Sequence, residues 1–116
     1  MKDQAEAPIS WNDFTKIEMR VGTIIQAEVF KEARNPAYKL VVDFGEYGTR
    51  KTSAQITDLY QPDDLIGKQV VAVINFPPKQ IATFMSECLV LGTIGENHVI
   101  TLLTPEQQTA NGLRIG

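Results

Sequence analysis

The spacing of apolar residues divides the chain into one helical turn and a series of short strands. In "SWNDFTKIEMR", Trp11, Phe14 and Ile17 recur at helical spacing behind Ser10, an N-cap residue with Asp13 three positions on. A short helix over residues 11–16 is predicted. From Met19 the period becomes two: Met19, Val21, Thr23, Ile25, Ala27 and Val29 fall on one face, Arg20, Gln26 and Glu28 on the other. Gly22 in mid-strand marks a bulge or sharp curvature. "YKLVVDFG" sets Tyr38, Leu40, Val42 and Phe44 on one face of a second strand. "KTSAQIT" is a weaker third strand, "KQVVAVINF" a fourth that is apolar on both faces, and "ECLVLGTI" and "NHVITLL" a fifth and sixth. "KEARNPAYK" and "GEYGTR" read as loops, and "DLYQPDDLIGK" as a turn or short helical segment. The chain ends in a polar tail, "TPEQQTANGLRIG", with Leu113 and Ile115 as its apolar members. Closely spaced short strands with glycine-marked bends predict an all-β fold, an OB-fold barrel carrying a short N-terminal helix.

One stretch resists this pattern. "NFPPKQIATFMSECLVLG", residues 75–92, puts Asn, Pro-Pro, Lys, Phe and Ser between two apolar strands where a few turn residues suffice.

Composition narrows the classes. A length of 116 residues fits one domain, and 43% hydrophobic with 22% charged residues is ordinary globular usage. A flexible segment over residues 1–9 and a domain over 10–116 are expected. "MKDQAEAPIS" holds no apolar signal region, and no run reaches the length of a membrane helix, so no membrane insertion is expected. The single cysteine, Cys88, reads as a small buried hydrophobe, and a cytoplasmic location is expected. The net charge of −3 disfavours bulk attraction to nucleic acid or anionic lipid. It leaves room for a local basic site, since Lys31, Arg34, Lys39, Arg50, Lys51 and Lys79 stand near strand ends and turns.

No catalytic constellation assembles. His98 is the only histidine, and there is no Gly-x-Ser-x-Gly elbow, no Gly-rich phosphate loop and no ligand spacing around Cys88. Asp63 and Asp64 read as solvated charge. No enzyme, metal or cofactor is expected.

The stretches "FTKIEMRVGTII", "EARNPAYKLVVDFG", "KTSAQIT" and "NFPPKQIATFMSECLVLG" together resemble the free-standing tRNA-binding domain family, related to a domain appended to methionyl- and phenylalanyl-tRNA synthetases. The resemblance covers residues 14–116. The wording "SAQIT" and "NFPP-x-x-IA-x-F-x-SE-x-LVLG" is nearest to small bacterial members described as secretion-related chaperones. The resemblance implies an OB-barrel whose terminal additions build a homodimer, with tRNA as partner and unfolded or exported polypeptides as the alternative ligand.

It also implies that residues 75–91 line a binding face. There Asn75 offers an amide to a base edge, Pro78 with Pro77 stiffens the backbone, and Lys79 meets a phosphate. Phe84 stacks on a base or meets an apolar peptide side chain, and Ser86 donates a hydrogen bond. Lys39, Ser53 and Gln55 carry over from matching positions, and Arg34, Arg50 and Lys51 complete a basic rim. Each has a plain structural alternative: Asn75 satisfying turn backbone, Phe84 plugging the barrel, Ser86 capping a strand, the cations solvated. Two departures stand out: Cys88-Leu89 replaces a Gly-Met pair, and Ala82-Thr83 replaces the glycine of an Arg-Gly pair. Trp11, Phe14, Leu113 and Ile115 lie outside the barrel strands and are the expected dimer contacts.

Overall fold

A curved strand, β1 (Met19–Val29), organises the molecule. The computed structural model describes residues 7–116, so most of the expected flexible segment 1–9 lies outside the described residues. β1 pairs antiparallel with β2 (Tyr38–Asp43) through its second half and with β4 (Gln69–Val73) through its first. With β3 (Thr49–Ala54) beyond β2 and β7 (Leu89–Val90) beyond β4, the sheet order is β3-β2-β1-β4-β7. Two small hairpins complete the strands: β5 (Lys79–Ile81) with β6 (Phe84–Ser86), and β8 (Gly92–Ile94) with β9 (Ile100–Leu102). The fold is the all-β, OB-like barrel that the strand pattern predicts.

The predicted helix is present as α1 (Trp11–Thr15), closed by a reciprocal capping box. The Asp13 amide donates to Ser10 Oγ at 3.0 Å, and the Ser10 amide donates to Asp13 Oδ2 at 3.0 Å. α2 (Pro62–Leu65) is a single turn that sends Leu65 into the core.

β2 alternates as its sequence requires. Tyr38, Leu40, Val42 and the following Phe44 are all buried, joined by Ile24, Leu65 and Val70 at zero exposure. β4 is buried on both faces throughout. β1 departs from simple alternation. The register with β2 slips between Ile24 and Gln26, which leaves Ile25 as an extra residue and inverts the faces beyond it. Ahead of the slip the even positions face the core, as Gly22 and Ile24 do; beyond it Ala27 packs against the core, while Ile25 and Val29, expected to point inward with Val21, are exposed. Gly22 is not the bulge. A Cβ there would stand 2.6 Å from Val42 Cγ1 and 2.7 Å from Phe44 Cε1, so glycine admits the two core side chains across β1.

The C-terminal tail lies along β1 and bridges to it at Arg114, opposite Arg20. Gly112 N donates to Val21 O, Val21 N to Leu113 O, and Ile115 N to Met19 O, at 2.7–3.0 Å. Gln69 anchors it, its amide donating to Thr109 O at 2.7 Å and accepting from Thr109 N at 3.1 Å. Polar sequence concealed this attachment because backbone groups and one buried glutamine hold it. The predicted fifth strand is likewise broken, into β7 and β8, and the predicted third begins earlier than "KTSAQIT".

Candidate functional site

The stretch 75–92 forms the β5–β6 hairpin, whose β6 packs on the outer edge of β3, and runs on through β7. Its two-residue turn puts Ala82 at φ 55°, a left-handed conformation at a position without glycine. Below the turn the barrel is closed by a seam that is mostly not a strand ladder. Glu87 N donates to Lys51 O at 2.8 Å, and Lys51 N donates to the Glu87 carboxylate at 3.0 Å. Further along, side chains take over. Thr52 Oγ1 donates its one proton to Cys88 O at 2.7 Å, so Ser86 Oγ, 3.0 Å away, donates to Thr52, and Ser53 N donates to Ser86 at 3.2 Å. Each hydroxyl in this relay gives one hydrogen bond and takes one.

Above the seam sits an aromatic-cationic cluster. Phe84 packs edge-on against Phe30, with centroids 5.3 Å apart. Lys51 Nζ lies 5.3 Å and Lys39 Nζ 5.7 Å from the centre of the Phe84 ring. Lys39 also stands 3.8 Å from the Glu28 carboxylate. Both ammonium groups hold weak contacts, each worth about 0.5–1 kcal/mol, that a phosphate can displace.

Beside the seam opens a groove of about 630 Å³, whose lining includes Ser53, Gln55, Lys79 and Ser86. Phe76, Ile81, Leu89 and Ile94 make it largely apolar, and Lys79 is its one charged lining residue among the described residues. Cys88 lies in its wall. Burial raises the thiol pKa to about 11.

The structure therefore brings Lys39, Lys51 and Phe84 into one cluster, and Ser53, Gln55, Lys79 and Ser86 into the adjoining groove. The two adjoin through β6, which carries both Phe84 and Ser86, and through the pairing of Lys39 with Ser53. Pro78 is exposed between Pro77, in the groove lining, and Lys79. Asn75 is engaged elsewhere. Its Nδ2 donates to Lys16 O at 2.7 Å and its Oδ1 accepts from Glu18 N at 3.0 Å, tying the end of α1 to the barrel. Arg50 donates to Ile74 O at 2.9 Å, bracing β3 against the chain after β4. Arg34 is exposed in the 30s loop. Sequence reasoning missed Phe30, Thr52, Phe76, Leu89 and Ile94. The first two carry only the ordinary signature of strand residues, and the groove residues look like core until the barrel is seen to be open beside them.

The terminal residues form a separate patch. Trp11 is 71% exposed, and its ring lies 5.4 Å from that of Phe14. Arg114 Nη2 donates to Thr15 O at 2.8 Å, drawing the C-terminal tail to α1. A shallow hollow of about 390 Å³ between Ile9, Trp11, Phe14 and Gly116 joins the two ends. Leu113 is exposed and Ile115 partly buried.

Comparison with known proteins places these features. The family model described as "Putative tRNA binding domain" matches residues 19–114. The chaperone CsaA of Bacillus anthracis superposes with a TM-score of 0.91 at 51% identity, covering 95% of this chain and all of that one. The CsaA chaperone of Picrophilus torridus gives 0.87 at 51% identity, covering 94% and 100%. The methionine–tRNA ligase of Methanococcoides burtonii is 36% identical over 104 residues, 90% of this chain. This chain spans only 15% of that ligase's length, so the likeness is to one part of it. Among the described residues no helix is long and apolar enough to cross a membrane. With the barrel, the tRNA-binding motifs and this match over most of its length, the chain belongs to the tRNA-binding domain family, beside the CsaA chaperones it resembles.

Proposed function

We propose that the protein is a non-catalytic tRNA-binding protein of the cytoplasm with chaperone-like activity, acting as a homodimer. In this reading residues 10–116 are the binding domain and residues 1–9 a flexible lead. The observation that carries it is the Phe84 ring with Lys39 and Lys51 within 6 Å of its centre. Aromatic faces stack bases, and lysines beside them meet the adjoining phosphates. The local cluster answers the objection of a net charge of −3, since the phosphates contact the cluster and not the molecular average. A salt series tests it. Lys39→Ala and Lys51→Ala should each weaken tRNA binding and lower the salt slope by about one phosphate contact. An unchanged slope in both removes RNA from this surface.

A second reading, a secretion-related chaperone whose main ligand is unfolded or exported polypeptide, is favoured by the apolar lining of the groove. Peptide binding that persists in high salt, with tRNA binding absent, selects it.

The homodimer reading draws on the exposed Ile9 and Trp11, which share a hollow with Phe14 and Gly116, and on the separately exposed Leu113. The interface should bury at least about 1,000 Å². Sedimentation should show a dimer at micromolar concentration, weakened by Trp11→Ala and Ile115→Asp. A monomeric parent protein overturns this part.

A further inference from the structure

We propose that the groove takes an extended polypeptide segment as an added strand along the outer edge of β3. The inference rests on the polypeptide half of the functional reading and says how that ligand is held. In β3, Lys51 and Ser53 turn their backbone groups away from β2: Lys51 bonds both ways with Glu87, and Ser53 N meets Ser86 Oγ. The same alternation points the Ser53 carbonyl and the Gln55 amide outward, and there the seam has ended. Gln55 N has no hydrogen-bond partner among the described residues. The Ser53 carbonyl has only Thr52 Oγ1 at 3.4 Å, and that proton is committed to Cys88 O at 2.7 Å. A short length of unpaired strand edge thus borders the groove, and an incoming chain can continue the ladder where the barrel's own closure stops.

The lining selects the occupant. Leu89, Ile94, Phe76 and Ile81 offer contact to apolar side chains standing at alternate positions of a strand. A nucleic-acid strand needs cations along its length, and the groove lining supplies Lys79 alone. That single lysine, with no carboxylate among the described lining residues, suits a segment carrying one acidic residue at that end.

The test uses the full chain, 15N-labelled, and a synthetic peptide of alternating leucine and threonine begun with glutamate. Bound peptide should slow hydrogen exchange of the Gln55 amide about tenfold or more. N-methylation of successive peptide amides should lower affinity with a period of two, by about tenfold at the sensitive positions. Leu89→Asp and Ile94→Asp, at exposed side chains, should weaken the peptide without unfolding the barrel. Binding that leaves Gln55 exchange unchanged and shows no alternation overturns strand addition while the polypeptide reading survives. Absence of any peptide binding overturns both. Protection of Gln55 by tRNA, with none by peptide, assigns the groove to RNA and also overturns the inference.

Discussion

The two sides of the barrel are closed by different chemistry. On the side of β1, β2 and β4, strand ladders carry the closure, broken once by the bulge at Ile25, and the buried positions are apolar except for Gln69. On the side of β3 and the β5–β6 hairpin, closure passes through one backbone hydrogen bond and a relay of Thr52 and Ser86 hydroxyls, then stops at the groove. The first side supplies stability and the second leaves polar groups and apolar surface within reach of a ligand. Binding surfaces are commonly drawn from the less tightly held part of a fold, since an element that must admit a partner cannot be fully paired beforehand.

The largest effect should come from breaking the ladder side. Leu40 has zero exposure, and Leu40→Ala should cost about 2–5 kcal/mol of stability. Urea unfolding followed by fluorescence and by circular dichroism should shift together, with the slope preserved. Separate transitions would mean that the two sides do not unfold as one unit.

Next is Cys88, the thiol in the groove wall. With its pKa raised from 9.0 to about 11, the reactive thiolate at pH 8 is roughly a hundredfold scarcer than in the unfolded chain. Alkylation should be slow in the native protein by at least that factor and become fast in denaturant. The sign for stability follows. Between pH 9 and 11 the unfolded thiol loses its proton while the folded one keeps it, so this group's contribution to stability is present below pH 9 and lost across that interval. Cys88→Ala should reduce the alkaline loss of stability. Rapid native alkylation would show that the groove wall opens.

Phe84→Ala separates function from fold. The ring is only partly buried, so barrel stability should change little, while tRNA affinity should fall by about 1–3 kcal/mol. If tRNA binding is unaffected and peptide binding collapses, the polypeptide reading takes precedence. Ser86→Ala acts on the relay. It leaves Ser53 N without an acceptor and should cost about 1–2 kcal/mol, read as faster hydrogen exchange at Ser53 ahead of the β1–β2 amides.

The same contrast governs what the sequence makes legible. Tyr38, Leu40, Val42 and Phe44 alternate because one face of β2 meets the core, and that period is visible in the residues themselves. The Ile25 bulge is invisible to it, because a register slip depends on the partner strand: Ile24 faces the core ahead of the slip and Ala27 beyond it. On the open side no period exists to read. Lys39, Phe84 and Ser86 were found through family wording, and their neighbours Phe30 and Thr52 were missed because their roles arise only when β3 and β6 meet. Asn75 shows the limit of wording alone: both ends of its amide are bonded to the backbone after α1.

The smallest predicted change sharpens the comparison most, because it improves the open side without touching its chemistry. Ala82 sits at φ 55° in the β5–β6 turn, where the related motif carries glycine nearby. An L residue in that conformation carries roughly 1 kcal/mol of local strain, whereas glycine adopts it freely. Gly in place of Ala also adds freedom to the unfolded chain, which opposes the gain by about 0.4–1 kcal/mol. Global stability in Ala82→Gly should therefore rise by less than about 0.5 kcal/mol. The local effect should be easier to see. The amide of Phe84 should exchange more slowly, and Phe84 should hold its place against Phe30 more often, so tRNA affinity should hold steady or improve slightly. If Ala82→Gly instead speeds exchange through residues 79–86 and weakens binding, the alanine's stiffness outweighs its strain, and the hairpin is held by its turn more than by its packing on β3.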